Sequence, residues 1–305
     1  MNEEYRRTVE LLLDITPQVF GEPEFAMKGG TAINLFVQDL PRLSVDIDLV
    51  FVPKETPRDE ALERITAALT RIQRALTRAP DVTVRLGRVQ NDEVKLFVAR
   101  GRYQVKVEVN TVFRGTVYPV VSRALAQAAT DFFKREVHIK ILDHDELYGS
   151  KLVAAMARQH PRDLFDVRTL LDRGGITTRM RRAFVIYVAG HNRPIGELLT
   201  PNPQPLEDLY NADFVGMTAK DVPLAELLEV RARLFRELPT SLDADERKFL
   251  LSLKKGEPEW ALLGIPGIEQ LPALQWKLVN VRRLQDKNPK KHAKQLADLR
   301  EKLGV

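Results

Sequence analysis

The sequence predicts an α+β fold, with a strand-rich N-terminal domain over residues 1–142 and a mainly helical domain over residues 143–305. Three observations predict it. Between Phe25 and Leu142 several short runs alternate apolar and polar residues with the period of a strand, as in Val45-Asp46-Ile47-Asp48-Leu49 and Val105-Lys106-Val107-Glu108-Val109. Elsewhere apolar residues recur at three- and four-residue spacing, as in Ala61, Ile65, Ala68, Leu69, Ile72 and Leu76. Near Asp143 the first pattern gives way to the second, with Asp143 or Asp145 placed to cap a helix and mark the boundary.

At 305 residues, 44% hydrophobic and 29% charged, the chain can bury a full core as one large or two medium domains. No apolar run reaches the length of a membrane span, and Met1-Asn2-Glu3-Glu4-Tyr5-Arg6-Arg7 lacks the pattern of a signal peptide, so a cytoplasmic protein without a membrane partner is expected. The absence of cysteine excludes disulfides, thiolate zinc sites and cysteine nucleophiles. The histidines are scattered without a His-Glu-x-x-His pattern, and there is no Gly-x-Ser-x-Gly elbow, which argues against zinc and serine-hydrolase chemistry.

In chain order, residues 3–16 carry Val9, Leu11, Leu12, Leu13 and Ile15, a helix that leads through Pro17 to a short strand at Phe25-Ala26-Met27. That strand stops at Gly29-Gly30, and Thr31 is expected to cap a helix running to Phe36. Glycines let backbone approach a ligand closely, and a helix start offers N–H groups to phosphate oxygens. Lys28 precedes the glycines and no Gly-Lys-Ser/Thr follows them, so this is not a Walker A loop. The next strand carries Asp46 and Asp48 on one face with the Ser44 hydroxyl next in line. Carboxylates so placed are costly to hold together unless a cation neutralises them, and a hard, oxygen-liking Mg²⁺ suits such a donor set. Residues 58–78 then form a core-facing helix, and strands follow near 82–86, 93–99 and 103–110, the last two joined at Gly101. In the third, Glu108 lies opposite the valine face, either as a third carboxylate or as an exposed glutamate paired with Lys106 or Arg88. Residues 117–121 read as a loop or edge piece, and 137–142 as one more strand.

The second half opens with a helix over 146–160 whose small-residue face permits close packing and which carries Gly149-Ser150-Lys151-Leu152. Lys151 is either a solvated helix lysine or a point cation for a polyphosphate. A helix beginning at Pro161 and ending at Gly174-Gly175 places Asp163 and Asp166 on one face of its first turn, where the helix dipole favours acids in any case. Beyond it come an apolar helix over 180–190, a loop over 191–205, helices over 224–238 and 243–253, and a punctuated connection over 260–274. The last helices bury Leu296, Leu299 and Leu303. From Lys277 to Lys302 nine Lys/Arg face three acids, a local surplus of six that exceeds the net +5 of the whole chain. Such a stretch is either a solvated helix face or a nucleic-acid patch.

Gly29-Gly30-Thr31 together with Ser44-x-Asp46-x-Asp48 resembles the nucleotidyltransferase superfamily, and Leu40-Pro41-Arg42-Leu43-Ser44-Val45-Asp46-Ile47-Asp48-Leu49 is similar to its AbiEii/AbiGii toxin branch. The resemblance spans Lys28 to about Asp172, and residues 175–305 match only in general helical character. It implies an N-terminal nucleotidyltransferase domain with a mixed sheet flanked by helices, a helical C-terminal domain, and an active-site cleft between them. It further implies Asp46 and Asp48 as catalytic ligands of Mg²⁺ or Mn²⁺, joined by Glu108 from a neighbouring strand. Lys28, Gly29, Gly30, Thr31 and Ser44 would bind the nucleotide, Lys151 would match a lysine-leucine motif, and Asp163 or Asp166 would complete the active site. The implied reaction transfers a nucleoside monophosphate from an NTP to an RNA hydroxyl, such as the 3′ acceptor end of tRNA, so blocking translation within a toxin–antitoxin system with a cognate antitoxin. Lys287, Lys290, Lys291 and Lys294 would then bind RNA phosphates. A protein or small-molecule acceptor, and a non-catalytic nucleotide- or RNA-binding regulator, are the alternative readings.

Overall fold

The computed structural model describes residues 2–87 and 93–305, with only the backbone of Glu93; Arg88 lies outside the described residues. The chain divides into two compact units, Met1–Leu147 with Phe214–Asp221, and Tyr148–Asp213 with Val222–Val305.

The first unit is built on a seven-stranded mixed sheet in the order β3-β4-β5-β2-β1-β7-β6. The strands are β1 (Phe25–Lys28), β2 (Asp46–Phe51), β3 (Thr83–Leu86), β4 (Glu93–Arg100), β5 (Tyr103–Asn110), β6 (Val121–Ala124) and β7 (His138–Ile141). β2 runs antiparallel to β1 and parallel to β5, so the two strands that carry the acids are direct neighbours. Ile47, Leu49, Val105, Val107 and Val109 are all fully buried on one face, as the alternation predicts. Two helices supply the apolar cover: α1 (Glu3–Val19) packs against β5, and α2 (Arg58–Leu76) against β3 and β4. Both are amphipathic, α1 burying Val9, Leu12, Ile15 and Val19, and α2 burying Ile65, Leu69 and Ile72.

Three features of this unit depart from the expectation. β2 begins at Asp46, with Ser44 and Val45 just before the strand. After β6 the chain forms a further helix, α3 (Gln127–Phe133), where the sequence shows too short an apolar pattern to announce it. Phe214–Asp221 returns to this unit, its Met217 carbonyl accepting from the Leu43 N–H at 2.9 Å and its Gly216 carbonyl from the Asn2 N–H at 2.7 Å. At the end of the unit α4 (His144–Ala157) begins, with the Asp143 carboxylate accepting from the Asp145 N–H at 2.9 Å. Its wholly buried Glu146 accepts from the backbone N–H groups of Val117 and Tyr118, both at 2.9 Å, and so fixes that loop.

The second unit is helical. α4 ends at Ala157, three residues earlier than expected, because Gln159 takes a left-handed conformation (φ 54°) that a helix does not continue. It is followed by α5 (Pro161–Arg173), α6 (Thr178–Gly190), α7 (Ile195–Leu199), α8 (Glu207–Asp213), α9 (Leu224–Thr240), α10 (Ala244–Lys255), α11 (Pro272–Lys287) and α12 (Pro289–Leu303). The stretch read as a loop over 191–205 thus contains α7, whose Ile195, Leu198 and Leu199 are buried. Gly149 sets the approach of α4 to α6: a Cβ there would lie 2.5 Å from the Cβ of Ala183 and 2.8 Å from the Phe184 nitrogen. The small-residue face of α4 is therefore a packing requirement. Leu299 and Leu303 are buried as expected, while Leu296 is half-buried.

Candidate active site

The first constellation lies where β1 ends against β2. Lys28 is extended, Gly29 turns with φ 77°, and the chain enters a short helical segment, Gly29–Thr31, followed by a wide turn over Ala32–Val37 closed by the Gln38 N–H on the Ile33 carbonyl at 2.7 Å. The first amides of such a segment have no partner within it. Gly29 is glycine for two reasons. An L side chain is strained at that φ, and a Cβ there would overlap Asp48 Oδ2 and stand 2.9 Å from its Cγ. At Gly30 a Cβ would meet Arg42 Nη2 at 2.8 Å and Ser44 Oγ at 3.0 Å. The two glycines thus remove side chains from the ground over which Asp48, Ser44 and Arg42 converge.

Thr31 holds the turn to β2. Its hydroxyl is 3.0 Å from Ser44 Oγ and donates to the Asp46 carbonyl at 2.5 Å, and Asn34 Nδ2 donates to the Gly30 carbonyl at 2.9 Å. The expectation that Thr31 caps a helix is corrected: its backbone is already helical, the segment starts two residues earlier, and the hydroxyl serves β2. Both Thr31 and Ser44 are buried.

Asp46 and Asp48 share the face of β2 opposite Ile47 and Leu49, and both are half-exposed. Strand register sets Lys28 beside Asp48, Asp48 beside Glu108, and Glu108 beside Lys95, a charged row across four strands. Glu108 is held by Lys95 at 2.7 Å and Lys106 at 3.2 Å. Burial would raise its carboxyl, but the two ammonium groups outweigh burial and keep it below the ordinary carboxylate range. Of the three expected ligands, the structure places Asp46 and Asp48 together and Glu108 one strand away with its charge already balanced. Among the described residues no three His, Cys, Asp or Glu side chains gather at metal-binding distance. The donor set that fits a hard divalent cation is accordingly the Asp46–Asp48 pair, beside the space that Gly29 leaves open.

Arg42 is a further residue of this constellation, one that no periodicity in the sequence singles out. It is 1% exposed, its Nη1 donates to the Leu43 carbonyl at 2.9 Å, and its Nη2 lies against Gly30. The signal was its place inside the quoted motif, two residues before Ser44, since a buried arginine is otherwise improbable on composition.

The second constellation belongs to α4 and α5. Lys151 Nζ lies 2.8 Å from Asp163 Oδ1 and 3.0 Å from Asp166 Oδ2, with both carboxylates 1% exposed and the lysine 5%. Arg158 adds hydrogen bonds to Asp163 at 2.6 Å and 3.0 Å. Burial opposes ionisation of Asp163, yet Lys151 and Arg158 hold its carboxyl far below the ordinary range. The spacing of Asp163 and Asp166 at one helical turn lets both reach a single ammonium. Two cations and two anions balance, so Lys151 is neither the solvated lysine nor the bare point cation of the two sequence readings. The expected RNA-binding residues Lys287, Lys290, Lys291 and Lys294 are all exposed, at the end of α11 and the start of α12.

The mixed sheet, the glycine turn and the paired carboxylates on the adjoining strand together define a nucleotidyltransferase fold. The chain belongs to the AbiEii family: the family described as "Nucleotidyl transferase AbiEii toxin, Type IV TA system" matches residues 10–280. The match runs well past Asp172, so the helical second half is part of the family architecture. Among solved structures the chain is similar to MenT4, a nucleotidyltransferase toxin from Mycobacterium tuberculosis H37Rv, at 17% identity and a TM-score of 0.61, covering 92% of this chain and 95% of that one. No curated protein sequence matches the chain. Among the described residues no helix is long and apolar enough to cross a membrane.

Proposed function

We propose that this toxin-family nucleotidyltransferase transfers a nucleoside monophosphate from an NTP to a hydroxyl of RNA, with the tRNA 3′ acceptor end as its substrate, a halt in translation as the consequence, and a cognate antitoxin as its partner. The observation that carries this reading is the convergence of Asp48 on Gly29, which puts a carboxylate pair beside a backbone turn stripped of side chains. Asp46 and Asp48 would hold Mg²⁺ or Mn²⁺, which supplies polarisation of the phosphate and acidification of the attacking hydroxyl. The backbone of Gly29 and Gly30 receives phosphate oxygens, and Lys28, level with Asp48 across the strands, adds positive charge beside them. Thr31 and Ser44 act by position: their hydroxyls are engaged with each other and with the Asp46 carbonyl, which fixes the strand that bears both acids. The acceptor hydroxyl gives its proton to solvent as its oxygen forms the new bond to the α-phosphorus, the bond from that phosphorus to the oxygen bridging to the β-phosphate breaks, and pyrophosphate leaves with that oxygen and the electron pair. Glu108, balanced by two lysines, orders the row of charges next to Asp48. Lys151, Asp163 and Asp166 contribute as a locked, charge-balanced cluster in the second unit, with Asp163 held twice over.

The test is incubation of the protein with Mg²⁺, total tRNA and each α-labelled NTP in turn, beside an Asp46→Ala control. Label on tRNA from one or two of the NTPs, lost in the control, is the expected result. Label on a protein or small molecule instead would reassign the acceptor, and equal labelling by the control would overturn the site.

A further inference from the structure

We propose that α11 and the start of α12 form a stacking platform for the unpaired bases of single-stranded RNA, so that the acceptor is gripped by a flexible end and not by its duplex. The proposal rests on the RNA-acceptor reading above and adds the recognition element. Trp276 and Val279 are large apolar side chains left 52% and 46% exposed on α11, one turn apart on the helix. At about 100° per residue, positions 283 and 287 each fall within about 20° of position 276, so Trp276, Arg283 and Lys287 form one stripe along the helix. Val279 and Asn280 flank that stripe. The rise of about 1.5 Å per residue puts Arg283 about 10 Å and Lys287 about 16 Å beyond the indole. Lys290, Lys291 and Lys294 continue the positive charge in the first turns of α12.

The cations on this surface differ from those around them. Arg282 donates to the Gly256 carbonyl, Lys254 to Gln295, and Lys302 pairs with Asp298, all within the fold. Arg283, Lys287, Lys290, Lys291 and Lys294 are exposed and, among the described residues, carry no ion pair. The one acid within the stretch, Asp286, lies about 80° away from the stripe. Trp276 has no aromatic or cationic partner among the described residues. Unpaired cations next to an unpartnered indole match a chain of phosphates that also carries free π-faces, which is what single-stranded nucleic acid presents. An acidic protein segment would satisfy the lysines but leave the indole without a planar partner, and duplex RNA would keep its bases stacked away from it.

Fluorescence tests this directly, because the chain has two tryptophans and Trp260→Phe leaves Trp276 as the sole indole. The full-length W260F protein is titrated, without NTP, with a single-stranded RNA oligonucleotide, a perfect RNA duplex of equal length, and polyglutamate. The single strand should quench Trp276, with little response to the other two polymers. Read by the anisotropy of an end-labelled RNA, Trp276→Ala should weaken binding by about 10-fold while Trp276→Phe retains most of it, as expected for the loss and conservation of one base stack. Reversal of Lys287, Lys290, Lys291 and Lys294 should flatten the slope of log affinity against log salt by about 0.7 for each phosphate no longer neutralised. Equal quenching by polyglutamate, tighter binding of the duplex, or unchanged RNA affinity in Trp276→Ala would each overturn the platform. Binding is read without turnover, so RNA that quenches Trp276 but accepts no nucleotide would overturn the acceptor reading alone. Undiminished RNA affinity and labelling in Trp276→Ala would overturn the platform alone.

Discussion

Replacing Gly29 with alanine changes one hydrogen into a methyl group, yet the structure assigns it a large and uneven effect. At φ 77° an L residue costs about 1–2 kcal/mol relative to the right-handed region. The new Cβ would also overlap Asp48 Oδ2 and stand 2.9 Å from Cγ and 3.1 Å from Cβ, so the whole carboxylate must swing away. The backbone penalty is a small part of a typical stability of about 5–15 kcal/mol, and the protein should remain folded. In the proposed function the displaced carboxylate bears on the reaction itself, where an error of about 1 Å can cost about 100-fold in rate. Gly29→Ala should therefore keep native circular dichroism, lose about 1–2 kcal/mol in urea unfolding, and lose about 100-fold or more in nucleotidyl transfer. Gly30→Ala is the comparison, since its Cβ would press on the flexible ends of Arg42 and Ser44 and Gly30 does not adopt a positive φ. Full transfer activity in Gly29→Ala would refute the argument that Asp48 needs the space this glycine leaves.

The other predictions rest on buried charge. Lys151→Met removes the ammonium that Asp163 and Asp166 share in the core and should cost about 3–5 kcal/mol in chemical denaturation, whereas Lys151→Met with Asp166→Leu should recover part of that loss, because one buried carboxylate is gone and Asp163 keeps Arg158. His191 is pushed down from 6.5 to about 4 by burial, with Lys277 and Arg193 adding to the effect. Its folded-state pKa is depressed, so the unfolded chain takes up the proton first and stability present above about pH 6.5 is lost as pH falls toward 4. Unfolding midpoints measured from about pH 7 to about pH 4.5 should fall more steeply for the native protein than for His191→Asn, which keeps an acceptor for the Arg193 N–H. Thr31→Val removes the hydroxyl from the Asp46 carbonyl and should lower transfer activity with the Lys28–Asp48 strand pairing intact, read by amide exchange along β1.

What the sequence made legible is the part governed by local period. The alternation around Asp46 and Asp48 is visible because strand geometry puts every second residue on one face, and the helices read over 3–16, 58–78 and 224–238 are visible because their apolar stripes are long, the structure ending them at Val19, Leu76 and Thr240. What it concealed depends on contacts between distant segments. The return of Phe214–Asp221 rests on a few backbone hydrogen bonds and one bridge, Arg42 with Thr218, which leave no pattern in either segment. The pairing of Lys151 with Asp163 and Asp166 joins two helices, and no spacing rule within one helix reveals it. Thr31 misled because a threonine after glycines fits a helix cap, and only the neighbouring strand shows where its hydroxyl goes. Arg42 is hidden for a similar reason: burial of a guanidinium depends on the walls around it, here Gly30 and the Leu43 carbonyl.

Under the proposed function, Asp46 and Asp48, set against the glycine turn, hold the metal and the nucleotide. Calorimetric titration of NTP in the presence of Mg²⁺ into native, Asp48→Asn and Asp46→Asn proteins tests it most directly, because each asparagine keeps the shape of the side chain and removes only its charge. Mg²⁺-dependent nucleotide binding is expected in the native protein and should be lost, or reduced to its Mg²⁺-independent level, in both variants. Native affinity for the Mg²⁺-bound nucleotide in either variant would contradict it.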